Sequence, residues 1–139
     1  MADGRTEMSF MELNAQSNRC AHAMRRLGLV RGDVIATLFG NSPEVFVIGW
    51  AAKRTGLYST SISNKLSDKD ISYILADSGA RLLLVSPAYA DLAVRAAREN
   101  PGVRIFCIGD GSPFQDWSEV TRVEQALPVA DESAGTDLL

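Results

Sequence analysis

The sequence predicts an α/β fold in which strands and helices alternate and the strands form a mainly parallel sheet. Two observations carry this. Short apolar runs at 34–39, 82–85 and 103–108 are each bounded by glycine, asparagine or proline, as strands are. Between them lie longer segments with helical periodicity and helix-start chemistry, long enough to be the crossovers that parallel strands require.

The first helix is expected to begin at Ser9, whose spacing to Glu12 is that of a capping box, each side chain satisfying a backbone N–H left free at a helix start. Phe10, Leu13, Ser17, Cys20, Met24 and Leu27 then recur at steps of three and four and define an inward stripe, with Asn14, Asn18 and Arg25 outside. Gly28 supplies the left-handed residue that ends it. After the turn Arg31-Gly32-Asp33, the run 34–39 reads as a strand covered on both faces. Asn41-Ser42-Pro43-Glu44 starts the next helix, with Ser42 as cap, Pro43 in the first turn and Glu44 at the positive end of the helix dipole. This helix is apolar nearly all round from Val45 to Ala52, which predicts an interior position, and Gly56 stops it.

The stretch 57–62 alternates loosely and reads as a short strand. Ser67 and Asp70 repeat the capping spacing ahead of a helix with Ile71, Ile74 and Leu75 inward and Ser78-Gly79 at its end. A strand at 82–85, an amphipathic helix at 88–99 with Leu92 and Ala96 inward, and a strand at 103–108 follow. Gly109-Asp110-Gly111 opens a loop, 117–127 reads as a weak helix, and 128–135 is polar and linker-like. No internal repeat is evident at periods of 20 to 50 residues.

Composition narrows the function. With 139 residues, 46% hydrophobic and 22% charged, the chain matches one globular domain. A formal charge of −3, from 14 basic and 17 acidic side chains, provides no field for holding a nucleic-acid backbone. Cys20 and Cys107 are far apart and outside any Cys/His cluster, so neither a zinc site nor a disulfide framework is indicated and a reducing cytoplasm is the expected compartment. The polar start from Met1 to Glu7 lacks the form of a secretory signal, and no apolar stretch approaches the ~20 residues of a transmembrane helix.

Individual residues offer little chemistry. His22, the sole histidine, sits mid-helix with no Cys or carboxylate at ligand spacing and reads as structural. Gly109-Asp110-Gly111 lacks the GxGxxG spacing and the lysine of a phosphate loop, and reads as a turn. Ser42 could help bind an anion, yet capping explains it and Glu44 would repel phosphate. Lys53, Arg54, Lys65 and Lys69 could form a basic edge, but a solvated surface is the simpler reading, as it is for Arg95, Arg98 and Glu99. Phe46 and Trp50 stand at helical spacing, which favours a core role over the wall of an acyl pocket. No catalytic, cofactor-binding or metal-ligating residue is assigned.

Several stretches taken in order resemble the beginning of the adenylate-forming superfamily of acyl-CoA synthetases, luciferases and peptide-synthetase adenylation domains. Met8-Ser9-Phe10-Met11-Glu12-Leu13 is similar to the first core motif, a Thr or Ser, an aromatic, any residue, then Glu-Leu. Gly32-Asp33-Val34-Ile35-Ala36 and Asn41-Ser42-Pro43-Glu44 are similar to the strand and helix start that follow. Ala52-Lys53-Arg54-Thr55-Gly56-Leu57-Tyr58 resembles the second core motif, and Ile74-Leu75-Ala76-Asp77-Ser78-Gly79-Ala80-Arg81 resembles the step into the next strand. Ser61, Ile62 and Ser63 depart from the Pro and Leu-Asn usual after the second motif.

The resemblance implies the amino-terminal part of the large domain of that fold, with an incomplete subdomain at 1–127 and a linker at 128–139 leading toward the family's phosphate-binding loop. That Ser/Thr- and Gly-rich loop ending in Lys would follow a stretch like Thr136-Asp137-Leu138-Leu139 and is not in the sequence. The intact enzyme is then expected to use ATP, Mg²⁺ and coenzyme A to activate a carboxylic acid, a medium or long fatty acid by family analogy, while this segment binds none of them alone and is inactive. A homodimer is a state the resemblance allows. Two other classes remain: a small α/β binding or regulatory module with no exposed apolar face, and an inactive remnant with a sticky one, because the helix around 45–52 expects cover.

Overall fold

The computed structural model describes residues 10–40, 44–108 and 114–124. Its centre is a five-stranded sheet of order β2-β1-β3-β4-β5, every neighbouring pair parallel, formed by β1 (Val34–Leu38), β2 (Tyr58–Ser61), β3 (Ala80–Val85), β4 (Arg104–Cys107) and β5 (Gln115–Asp116). The alternating fold read from the sequence is therefore the fold observed. β1 lies inside the sheet. The chain leaves it for the β2 edge through helix α2 (Glu44–Thr55) and returns through α3 (Asp68–Ser78) to lay β3 on its other side. From there α4 (Ala90–Ala96) leads outward to β4, and α5 (Trp117–Thr121) follows β5.

Side chains along a strand point alternately to opposite faces, and this alternation divides the core. Ile35, Leu82, Leu84 and Phe106 join one cluster with α1 (Phe10–Arg26), α2 and Trp117 of α5. Ala36, Leu38, Leu83, Val85 and Cys107 join the other with α3 and α4. Helices thus cover both faces, which is why β1, β3 and β4 read as unbroken apolar runs rather than as alternating ones.

The local signals act as the residues suggest. Ser67 accepts a hydrogen bond from the Asp70 N–H at 3.2 Å and caps α3, whose other end turns at Gly79 with φ 70°. Gly56 ends α2 with φ 76°, and a Cβ there would lie 2.9 Å from Cγ of Arg31, so conformation and space both require glycine. Gly28 follows α1 with φ 90°. The Ser9, Ser42 and Pro43 parts of the expected starts lie outside the described residues, as does the segment from 125 onward.

Four expectations are corrected. Phe10, expected inward, is 78% exposed, because it is the first residue of α1 and projects past the packed surface. Asn18, expected outward, is fully buried, because α2 packs against that flank. α2 is not enclosed all round: Val47, Ile48, Ala51, Ala52 and Thr55 are buried, whereas Phe46 is 67% and Trp50 41% exposed. The helix at 88–99 is a short α-helix between two 3₁₀ turns, Pro87–Tyr89 and Ala97–Glu99. Its fully packed stripe is Ala90, Ala93 and Ala96, with Leu92 only half-buried, since alanines let the helix approach the sheet closely. The short strand β5 has no strand-like signal in the sequence; pairing with β4 creates it.

Candidate functional site

In open parallel sheets, ligands bind beyond the carboxyl ends of the strands, where the chain reverses its direction of travel. Here that point lies between β1 and β3. The strand ends are tied together there: the Asn64 amide donates to the Phe39 carbonyl at 3.0 Å, Ser86 N–H to Leu38 O at 3.1 Å, and Ile108 N–H to Val85 O at 2.9 Å. Tyr89 packs beside Gly40, its hydroxyl 3.6 Å from where a Cβ would stand.

On the α1–α2–α5 side of this edge is a cleft of about 240 Å³. Cys20, Val47, Ile48, Ile108 and Trp117 form its apolar surface, while Gln16, Glu44, Ser118 and Thr121 bring polar groups to it. An apolar pocket with a few convergent polar groups is the usual form of a small-molecule site, but ~300–1,000 Å³ is the usual size. This cleft is the dimension of a wall or subsite. Glu44 reaches it because α2 starts at that edge, and Trp117 because Asp116 caps α5 by accepting from Ser118 N–H at 3.0 Å.

The thiol in the cleft is held inactive. Cys20 is 4% exposed, and its thiol is pushed up from 9.0 to about 11 by burial away from water, only partly opposed by the Trp117 indole N–H, which donates to Sγ at 3.4 Å. A thiol in that state remains protonated at neutral pH and does not attack. The same indole meets Phe106 edge-on, ring centroids 5.2 Å apart, which locks the floor of the cleft. Its chemistry is therefore one of shape and apolar contact.

The residues weighed from sequence do not converge here. His22 is half-buried on α1, away from the cleft lining. Ser42 and Gly109-Asp110-Gly111 lie outside the described residues. The basic edge is not one edge. Lys53 and Arg54 stack over the Trp50 ring at 5.6 and 5.8 Å, and Arg54 also donates to Asn14 Oδ1 at 2.6 Å and to Asn18 Oδ1, tying α2 to α1. Lys65 sits in a turn before α3, and Lys69 on α3 shares a groove with Arg95 and Arg98. Phe46 and Trp50, read as core, line a shallow outward trough with Val45, Gly49 and Lys53. The cleft residues Gln16, Cys20, Thr121 and Trp117 carry no signal that sequence could have joined, since they lie toward opposite ends of the chain.

Among the described residues, no group of three or more His, Cys, Asp or Glu could hold a metal ion, and no helix is long and apolar enough to cross a membrane.

The family described as AMP-binding enzyme matches residues 1–138. The chain is 33% identical over 134 residues to the long-chain-fatty-acid–CoA ligase FadD13 of Mycobacterium tuberculosis, covering 95% of this chain and 26% of that protein. Among solved structures it is similar to the Mycobacterium tuberculosis fatty acyl CoA synthetase, with a TM-score of 0.78 and 32% identity over 94% of this chain and 26% of that one. The anthranilate CoA ligase AuaEII, solved in complex with anthranoyl-AMP, shares the fold with a TM-score of 0.83 at 23% identity, over 91% of this chain and 25% of that one. The chain thus spans about a quarter of the length of these relatives.

Proposed function

The chain belongs to the AMP-binding, adenylate-forming enzyme family, and from that membership we propose that it is the amino-terminal subdomain of an acyl-CoA synthetase whose substrate is a carboxylic acid, a fatty acid before an aromatic one. The observation that carries this reading is the family match across nearly the whole chain. The fatty-acid preference is supported by the length of the match to a fatty-acid ligase, 33% identical over 134 residues, against 32% over 96 residues for a 3-hydroxybenzoate–CoA ligase.

In the proposed reaction a carboxylate oxygen attacks the α-phosphorus of ATP, the bond to the β-phosphate oxygen breaks, and pyrophosphate leaves. The thiol sulfur of coenzyme A, giving up its proton, then attacks the acyl carbon and AMP departs. Such a transfer demands screening of phosphate charge by a cation, a lysine and backbone donors. The sequence contains no Gly-rich loop closed by lysine that could supply those donors. No step is assigned to this chain's own side chains. The subdomain spanning 1–127 serves instead as scaffold, with the Cys20–Trp117 cleft as a wall against which an apolar acyl chain can lie, and 128–139 leads toward the phosphate-binding part of the enzyme. The place of action is the cytoplasm, in keeping with two buried free thiols.

Against a self-contained binding module stand Phe46, Trp50, Phe10 and Met11, four large apolar side chains exposed on α1 and α2. A finished surface has little use for them, and a subdomain awaiting neighbours does. The test is ATP–pyrophosphate exchange with a panel of fatty and aromatic acids, comparing the 139-residue chain with the same chain fused ahead of the remaining domain of a family member. Exchange restored in the fusion and stimulated most by fatty acids is expected. Silence in a folded fusion overturns the reading.

A further inference from the structure

The Cys20–Trp117 cleft is satisfied inside and polar at its rim. Inside, the Trp117 indole N–H donates to Cys20 Sγ at 3.4 Å and the Thr121 hydroxyl to the Ser118 carbonyl at 3.4 Å, so a guest meets no donor that it must satisfy. The surface it touches is that of Val47, Ile48, Ile108 and the Trp117 ring. A volume of about 240 Å³ holds one ring or a chain of about six carbons, since an apolar cavity of ~150 Å³ takes up benzene. Space so lined favours hydrocarbon over water. At the rim stand Gln16 and Glu44, half-buried, and Ser118, exposed. The interior therefore selects an apolar body, and the rim selects the head that the body carries.

The charge at that rim is negative. Among the described residues Glu44 is the one charged side chain in the lining, and the Cys20 thiol, kept protonated by burial, adds no charge. The positive end of α2 lies at the same rim, but it amounts to roughly half a charge against the full charge of Glu44. Glu12 on α1 and Asp116 and Glu119 on α5 share the sign of Glu44, while Arg19 and Arg122 oppose it from outside the lining. The other cations of these elements are engaged away from the cleft: Arg25 donates to the Thr55 carbonyl at 3.1 Å, Arg26 pairs with Glu124 at 2.9 Å, and Lys53 and Arg54 stack on Trp50 toward the far end of α2. Arg104 stands at the opposite end of β4 from Ile108. In sequence, 41–43 before Glu44 and 109–113 after Ile108 contribute one acid, Asp110, and no base. A carboxylate head is repelled at such a rim and an ammonium head is attracted.

We propose that the cleft is a binding site for a small amphipathic amine, its hydrocarbon body against Val47, Ile48, Ile108 and Trp117 and its ammonium group at Glu44. Such a ligand competes with an acyl chain for the same wall, and that consequence alone rests on the synthetase reading; the binding itself is measured on the 139-residue chain and stands apart from it. The chain has two tryptophans, whose indole N–H signals in ¹⁵N-labelled protein separate the cleft, through Trp117, from the outer face of α2, through Trp50. Hexylamine, 1-hexanol and hexanoate are titrated in turn at neutral pH and low salt. The expected result is saturable movement of the Trp117 signal with that of Trp50 unmoved. Hexylamine should bind about threefold more tightly than hexanol, the scale of a partly exposed ion pair, and hexanoate more weakly than either. Glu44→Gln should bring the amine level with the alcohol and leave the alcohol's affinity as it was, which also shows that the variant is folded. Ser118→Phe, at an exposed position on the rim, should weaken all three. An unmoved Trp117 signal, a Trp50 signal that moves as far, hexanoate binding as well as hexylamine, or an amine preference that survives Glu44→Gln would overturn the proposal.

Discussion

The two faces of the sheet are built from the same apolar residue types and finished differently. Under α3 and α4, packing is closed: Ile71, Leu75, Ala93 and Ala96 are buried, the ends of α3 are capped by its own neighbours, and one asparagine amide joins the helices. Under α1 and α2, the inner surface is just as well packed, yet the outer surface keeps two rings, Phe46 and Trp50, in solvent beside two cations, where α3 exposes the single ring of Tyr73 with its polar hydroxyl. Polar cross-links hold this second pair, Arg54 to Asn14 and Asn18 and Arg25 to the Thr55 carbonyl. The difference shows that burial of the inner face sets an element's position, while the outer face records what is meant to meet it.

The strongest way to break that equivalence of inner faces is at adjacent residues of β3. Leu83→Ala opens the α3–α4 side and Leu84→Ala the α1–α2 side. Both should cost about 2–5 kcal/mol in urea unfolding. A large loss at one site only would mean that one helical layer is not closely packed.

Next comes pH. The Cys20 thiol is raised to about 11 in the folded chain against 9.0 for a free thiol, so its contribution to stability is fully present below pH 9 and is lost as pH rises toward 11. The loss should be on the order of 2–3 kcal/mol. Urea titrations at successive alkaline pH, with Cys20→Ala as the variant that removes this component, measure it. Slow reaction of the native thiol with an aromatic disulfide at about pH 8 is the companion observation.

Cross-links come third. Asn100→Ala on one side and Arg54→Ala on the other should each cost about 1–2 kcal/mol, since each leaves polar groups without their partner. Thermal unfolding of both, with amide exchange read on α3 and α1, distinguishes a local loosening of the named helix from a global effect. The smallest change is expected where the surface is unfinished: Phe46→Ser with Trp50→Ser should shift stability by less than about 0.5 kcal/mol while reducing concentration-dependent self-association in sedimentation. A large destabilisation there would mean these rings already have a packing role.

The backbone plan is legible because its signals are local. Ser67 with Asp70, Gly79, Gly56 and Gly28 each set a helix end through interactions within a few residues. Runs such as Leu82 to Val85 announce a strand covered twice. What cannot be read is orientation. An α2 that is apolar nearly all round has no periodic mark to say which side faces out, so Phe46 and Trp50 read as core although they stand in solvent. Asn18 looks like surface until Arg54 arrives from another helix. The cleft is hidden for a related reason: Cys20 and Trp117 touch across 97 residues, and neither Ser118 nor Thr121 differs in kind from solvent-facing neighbours. The short β5 depends wholly on its partner strand.

The strand order has a kinetic side. Of the described strands β1 is released from the ribosome before the others, and both of its neighbours come later, Val34 being in register with Tyr58 on one flank and with Ala80 on the other. A parallel partner cannot be supplied by a hairpin, so β1 waits unpaired through the synthesis of α2 at least, with Ile35, Ala36 and Leu38 uncovered. Pairings of that sequence separation are slow to close compared with local ones. The apolar centre of this sheet is therefore also the stretch of nascent chain most in need of protection from other chains before the fold is complete.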